Sequence, residues 1–327
     1  MSKLVTIYGG SGFVGRYIAR RMANEGWRVR VAVRRPNEAM FVKPYGVVGQ
    51  VEPVLCNIRD DASVAAVMHG ADAVVNCVGV LNELGKNAFD AVQADGAARI
   101  ARIAADQGVE RMVHISAIGA DAGSNSAYAR SKADGEAGVL AHMPNALILR
   151  PSIIFGTEDQ FFNRFAGMAR MGPLLPLVGA ETKFQPVYVD DVAKAAVKGV
   201  LGNAGGGVYE LGGPEVKTFR ALMQQMLDVI NRRRVIVGVP YWAAWIMANV
   251  LDLVKFVTFQ LFPNPILTRD QLKNLRRDNV VADGVKSFAD LGIAPATLES
   301  VLPDYLWKFR PSGQYDEIQK SADNLRS

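Results

Sequence analysis

The stretch VTIYGGSGFVGR sets four glycines (Gly9, Gly10, Gly12 and Gly15) between a short apolar run and a helix-length segment. That arrangement suits a strand that turns sharply and runs into a helix. Gly9, Gly12 and Gly15 are three apart: the first permits the tight turn, and the second lets backbone amides approach a diphosphate. The third lets helix and strand pack closely. Gly10, Gly12 and Gly15 also satisfy the tighter GxGxxG spacing, so spacing alone does not choose between two families of dinucleotide folds. The context is a strand before, a helix after and a βαβ unit of the right length. It makes Gly9, Gly10, Ser11, Gly12, Phe13, Val14 and Gly15 the expected cradle of a dinucleotide.

Further apolar runs follow at regular intervals: VRVAV, VEPVL, DAVVNCV, RMVHIS and ALILR. Helical stretches are expected between them at 13–25, 61–69, 87–107 and 127–140. Continuous apolar strands separated by helices are the signature of a parallel sheet covered on both faces. The expected fold is α/β, a doubly wound parallel Rossmann sheet over residues 1–150. A smaller, mostly helical C-terminal portion is expected over 151–327. There, GMARMGPLLPLVGAETKFQP reads as loops around a short helix, and VYVDDVAKAAVKGVL as a strand entering a helix capped at Asp190 or Asp191.

Net charge is +5 over 327 residues, but eight basic residues against Glu25 alone lie between Met1 and Arg35. A second basic cluster is Arg232–Arg234. Such patches suit phosphates, an acidic partner or an anionic membrane surface; a solvated helix face is the plainer reading for Arg16, Arg20 and Arg21. Cys56 and Cys77 show neither CxxC nor Cys/His spacing and read as reduced core residues; no metal site is expected. No nucleic-acid partner is expected either. With the first strand starting at about Leu4, no signal or transit peptide is expected. The chain is either made in the cytoplasm or a mature form already trimmed.

The second strand ends in Arg34 and Arg35 where an acid would bond the two hydroxyls of an adenosine ribose. Arginine offers a forked cation to a 2′-phosphate instead, so NADP(H) is expected over NAD(H). Asn57 to Asp60 after the third strand, Asn57 and Ile58 foremost, and Asn76 to Gly79 after the fourth, with Cys77, Val78 and Gly79, are the expected adenine-side and backbone-side contacts.

By these residues, and by Tyr128-x-x-x-Lys132 and LRPSIIFG, the chain resembles the extended or atypical short-chain dehydrogenase/reductases. Tyr128 and Lys132 are four apart and share a helix face. In active relatives the Tyr exchanges a proton with the substrate oxygen, while the Lys holds the nicotinamide ribose and lowers the Tyr pKa. The resemblance implies further cofactor contacts at Ser116, Pro151 and Ile153. It also implies a catalytic hydroxyl two residues beyond Ser116, where this chain has Ile118. Tyr128 and Lys132 are then vestigial cofactor contacts, with no catalytic residue. LRPSIIFGTEDQFFNRFAGMARMGPLLPL, QPVYVDDVAKA and LTRDQLKNLRRDNVV resemble the nucleotide-binding accessory subunits of respiratory complex I. This second resemblance implies a tightly held NADPH that does not turn over. The implied partners are other complex I subunits, where the hydrophilic arm meets the membrane arm near the quinone entry, with membrane lipid beside them. The implied location is peripheral, on the cytoplasmic face of a bacterial inner membrane, or on the matrix face for a trimmed mitochondrial form. The alternative is a free NADP-dependent reductase, epimerase or dehydratase with an altered triad.

Residues 241–262 are apolar almost all round, and Asp252 and Lys255 interrupt them too early for the roughly 20 residues that span a bilayer. Trp242, Trp245, Phe256, Phe259 and Phe262, with Arg232–Arg234 just upstream, are the pattern of an element at a headgroup boundary. A docking helix is expected there; the competing reading is a helix that closes the core of the C-terminal portion.

Overall fold

A computed structural model describes residues 2–81, 83, 85, 88–246, 249, 269–311 and 313–315. The chain forms two compact units, the first made of Met1–Ser152, Val189–Gly212 and Val281–Pro295, and the second of Ile153–Tyr188, Gly213–Val280 and Ala296–Ser327. The sequence suggests one cut near residue 150. In the structure the chain re-enters the first unit twice, because that unit's sheet takes its last strand from beyond residue 200.

The first unit is built on seven strands: β1 (Leu4–Tyr8), β2 (Arg28–Val33), β3 (Val51–Leu55), β4 (Ala73–Asn76), β5 (Arg111–Ile115), β6 (Leu147–Pro151) and β11 (Gly207–Leu211). Their order across the sheet is β11-β6-β5-β4-β1-β2-β3, and every adjacent pair is parallel. All five residues of β1 and all four of β4 are buried, as a sheet covered on both faces requires. The crossovers are helical: α1 (Phe13–Asn24), α2 (Asp61–Met68), α3 (Asp95–Asp106), α4 (Ala127–His142) and α6 (Val189–Leu201). Asp60 caps α2 through the Ser63 amide at 2.6 Å, and Ser126 caps α4 through the Ala129 amide at 3.3 Å. On α3 the buried Ala97, Ile100, Ala101 and Ala104 form the i, i+3, i+4, i+7 stripe of a helix laid on a sheet. The helix expected over 87–107 is divided, with one wide turn at Asp90–Ala94 before α3.

Asp190 and Asp191 are not caps: both fall inside the first turn of α6, where carboxylates complement the helix dipole. Asp190 takes Arg21 of α1 in a two-pronged ion pair at 2.6 and 2.5 Å, and Asp191, fully buried, accepts from Lys194 at 2.6 Å. Part of the N-terminal basic cluster therefore serves packing between α1 and α6.

The second unit has its own apolar core, with Phe155, Phe162, Leu175, Leu177, Met223 and Leu302 fully buried. Its elements are β7 (Ile154–Phe155), α5 (Phe162–Met171), β8 (Leu174–Val178), β9 (Lys183–Phe184), β10 (Val187–Tyr188), β12 (Lys217–Thr218), α7 (Phe219–Val229), β13 (Val235–Val239), α8 (Arg269–Asn274) and α9 (Leu298–Leu306). They include three strand pairs: β7 with β10, β9 with β12, and β8 with β13. The glycine- and proline-rich stretch expected to be loops thus contains β8 and β9. Pro176 is tolerated because a two-stranded piece leaves one side of each strand without a ladder. Buried Asp159 ties the loop after β7 to α9. It accepts from the Tyr305 hydroxyl at 2.5 Å and from the amides of Asn163 and Gly156 at 3.0 and 3.2 Å. Of the expected docking helix, 241–246 and 249 are described, and 241–246 are helical. Phe256, Phe259 and Phe262 lie outside the described residues. No helix among the described residues is long and apolar enough to cross a membrane.

One buried pair in the sheet makes stability depend on pH. His114 on β5 is directly opposite Asn76 on β4 and accepts from, or shares a proton with, its amide at 3.1 Å. Burial, with Lys132 nearby, pushes the imidazole down to about 3. The unfolded chain therefore binds a proton that the folded chain refuses as pH falls below about 6.5. Folding stability should be intact above that pH and fall, on the order of 1 kcal/mol per pH unit, towards pH 3. Urea unfolding between pH 7.5 and 4 measures this, and His114→Gln should flatten that limb of the profile.

Candidate functional site

A cleft of about 240 Å³ opens at the carboxyl ends of β1, β2, β3 and β4, lined in part by Gly9, Ser11 and Gly12. It lies where the strand order reverses from β1 outward to β2 on one side and to β4 on the other, the place such sheets use for ligands. Gly9 has φ +74°, a left-handed conformation that a side chain would strain. Gly15 is required for a different reason: a Cβ there would stand 2.7 Å from the Gly10 Cα and closer still to the Gly9 carbonyl oxygen. Only glycine lets α1 start this near β1. Gly12 is the residue before α1, and it has no side chain to take up the first-turn amides, which are the groups that hold a phosphate. Gly10 bonds back to the Ile7 carbonyl at 3.2 Å. Phe13 and Val14 open α1 half-buried, with Phe13 edge-on to Tyr17. Arg16 donates to the Gly12 and Ser11 carbonyls at 3.3 and 3.1 Å and lies over the Phe41 ring, so it braces the turn.

Arg34, Asn57, Ile58, Cys77, Val78 and Gly79, all named from the sequence, also line the cleft. Arg35 is absent from the lining and instead pairs at the surface with Glu38 at 2.9 Å. Arg59, inside the expected contact segment Asn57 to Asp60, lines the cleft too. The cleft further includes Cys56, Ala32, Val33, Val80 and Val92, which the sequence did not mark as contacts; the aliphatic members carried no signal beyond their place next to strand ends. Cys77 is half-buried against this cleft and is not a core residue, and burial pushes its thiol up to about 12.

Lys132 reaches the same region from α4. Its Nζ donates to the Ile115 carbonyl at 3.3 Å and sits near Gly79, where an added Cβ would be 3.4 Å away. Burial brings the ammonium down to about 8, with Glu136 and Cys77 opposing that fall. Tyr128, one turn earlier, is half-buried with Phe89 edge-on at 5.8 Å, and burial raises its hydroxyl to about 12. Ser116, at the end of β5, donates to the Glu136 carboxylate. Glu136 is in turn gripped by Arg150 at 2.8 and 2.6 Å, and Arg150 reaches Glu210 at 3.6 Å. The Ser116 hydroxyl is thus part of a buried charge network. Ile118, whose side chain has no hydroxyl, donates its amide to the Pro151 carbonyl at 3.0 Å. Pro151 ends β6 buried, and Ile153 packs on the core of the second unit.

A family model described as "NAD dependent epimerase/dehydratase family" matches residues 5–212. NADH dehydrogenase [ubiquinone] 1 alpha subcomplex subunit 9 of Arabidopsis thaliana mitochondria is 35% identical, covering 95% of this chain and 79% of the relative. A ceramide reductase of Caulobacter vibrioides is 32% identical over 59% of this chain and 60% of its own. Among solved structures, a dTDP-glucose 4,6-dehydratase from Streptomyces venezuelae with NAD bound superposes with a TM-score of 0.70. It is 21% identical and covers 93% of this chain and 95% of the other. That last likeness is one of fold. A dinucleotide cleft on a parallel sheet, the family match across that sheet and the near-full-length relatives converge: the chain belongs to the NAD dependent epimerase/dehydratase family and, within it, to the group of alpha subcomplex subunit 9 proteins of NADH dehydrogenase [ubiquinone].

Proposed function

We propose that this chain is a non-catalytic, NADPH-binding accessory subunit of a proton-pumping NADH:ubiquinone oxidoreductase. In this reading it stabilises the junction of hydrophilic and membrane arms near the quinone entry, peripherally, on the cytoplasmic or matrix side. The observation that carries the reading is an intact cradle beside a disabled reaction centre. Gly9, Ser11, Gly12 and Lys132 fit a dinucleotide, whose nicotinamide supplies hydride chemistry when bound. The hydroxyl that would polarise a substrate carbonyl is missing: Ile118 holds its place and Ser116 is engaged by Glu136. Losing one such donor costs roughly a hundredfold to a thousandfold in rate. Tyr128 and Lys132 remain to hold the cofactor ribose. Their retention also favours a second reading, a free NADP-dependent reductase, epimerase or dehydratase.

Docking falls to the second unit. Trp242, Trp245 and Ile246 are exposed at 70, 57 and 50%, while Ala244 is buried against Leu272. The β8–β13 ribbon beside them in sequence is apolar on both faces. Leu175, Leu177 and Ile236 pack on the core, while Leu174, Val235 and Val237 are exposed. An exposed ribbon normally alternates apolar with polar, so this outward row is suited to a membrane-arm subunit or the lipid beside it.

Three outcomes test the proposal. Nucleotide extracted from the chain purified out of solubilised membranes should be NADP(H), and Arg34→Ala should weaken its binding about tenfold or more; NAD(H) in its place would overturn the cofactor. Ketones, sugars and quinones should fail to oxidise bound NADPH in a stopped-flow assay; turnover that Tyr128→Phe abolishes would establish the enzyme instead. A chain carrying both Trp242→Ser and Trp245→Ser should stay folded with NADPH bound yet dissociate from the complex in detergent at high salt. Unfolding of that variant with loss of cofactor would make the segment core.

A further inference from the structure

Arg59 stands beside Arg34 in the lining of the cleft, although it comes from the loop after a different strand. β2 and β3 are sheet neighbours, and the Cys56 amide continues their ladder by donating to the Val33 carbonyl at 2.8 Å. Their carboxyl ends therefore sit side by side. Asn57, at the first turn of the loop, is neutral. Its side-chain oxygen accepts from the Arg59 amide at 3.2 Å and from the Arg59 Nε at 3.5 Å, which sets the direction of the side chain. Asp60 caps α2, Asp61 takes Arg99 and Arg102 at 2.5 Å each, and Glu38 takes Arg35. Among the residues lining the cleft are two guanidinium groups and no carboxylate.

We infer that Arg59 is a second specificity-determining contact for the adenosine 2′-phosphate, gripping it together with Arg34 from adjacent strand ends. This rests on the NADP(H) reading above. A phosphomonoester carries about −1.5 to −2 charges near neutrality and presents three acceptor oxygens, enough for two forked cations. A ribose diol offers neither the charge nor the number of acceptors, so NADH leaves both arginines facing neutral hydroxyls. Arg59 thereby contributes to the choice between the two dinucleotides without contributing to the grip on the diphosphate, which belongs to the glycine turn.

The test is a titration of the full-length chain, stripped of nucleotide, with NADPH and separately with NADH. Arg59→Ala should weaken NADPH about tenfold while changing NADH less than about twofold, and Arg59→Lys should recover part of the loss. Added salt should narrow the NADPH/NADH preference more in the wild type than in Arg59→Ala. Equal losses for both nucleotides would place Arg59 on the adenine ring or the diphosphate and overturn the inference, as would no loss for either. Selective loss in Arg34→Ala with none in Arg59→Ala would leave the NADP(H) reading standing and remove this one. A wild type that does not prefer NADPH would remove both. Melting temperatures of the variants, unchanged for a surface arginine, separate a binding loss from a folding loss.

Discussion

The approach of α1 to the end of β1 is the constraint from which the site follows. A side chain at residue 15 would overlap the backbone of Gly9 and Gly10, so its absence sets the depth at which the helix starts. With that depth fixed, Gly9, Ser11 and Gly12, in the turn that leads into α1, line the cleft formed where β1 parts from its two neighbours. The positions of β2 and β3 then follow by parallel register, which brings Arg34 and Arg59 to the same rim. On the proposed reading, none of this requires a side chain to act on a diphosphate: backbone geometry would supply that contact, and side chains the selection.

One face of α4 is divided between two tasks. Tyr128, Lys132 and Glu136 recur every four residues and so line up along the helix. Lys132 is buried beside Gly79 and Cys77, at the cleft. Glu136 turns to Ser116 and Arg150. A buried carboxylate held by an arginine fork and a hydroxyl is costly to break, since removing either partner strands a desolvated charge. Ser116 is therefore a poor substitute for the hydroxyl that Ile118 lacks: freeing it would leave the Glu136 carboxylate short of a donor in a dry environment. On the proposed reading, the packing that ties β5 to β6 and α4 also engages the one hydroxyl that could have replaced the missing group.

Six strands of the sheet were legible in the sequence because they are short, mostly apolar and separated by helices, two with polar caps at Asp60 and Ser126; the seventh, β11, was not, since it returns to the sheet from beyond residue 200. The cradle was legible because glycine is the only residue that fits at positions 9 and 15. Harder to read were features that depend on pairing across long separations. β8 looked like a loop because Gly172, Pro173 and Pro176 punctuate it, and its partner β13 arrives some sixty residues later. Asp190 and Asp191 looked like caps because they precede an apolar run, whereas the helix begins one residue earlier at Val189. Arg35 lies at the end of the right strand but is captured locally by Glu38. Arg59 fell inside an expected contact segment, but that it shares a cleft with Arg34 depends on β3 lying beside β2.

The β8–β13 ribbon shows how far local rules extend before a partner must be invoked. Its inward residues, Leu175, Leu177 and Ile236, complete the second unit's core, so folding explains them. The outward residues, Leu174, Val235 and Val237, are exposed apolar side chains on a strand pair with an unpaired edge, an arrangement that soluble chains blunt with charge. Upstream, Arg232 and Arg234 donate to the carbonyls of Phe309 and Ala169 at 2.8 and 2.7 Å, and desolvation, followed by the charges of Arg234 and Arg170, lowers the Arg232 pKa. In sequence, Arg232–Arg234 lead into the apolar row of β13 and then into the exposed Trp242 and Trp245. On the reading proposed above, such a run would suit a surface that offers anionic groups at one depth and hydrocarbon or apolar side chains at the next.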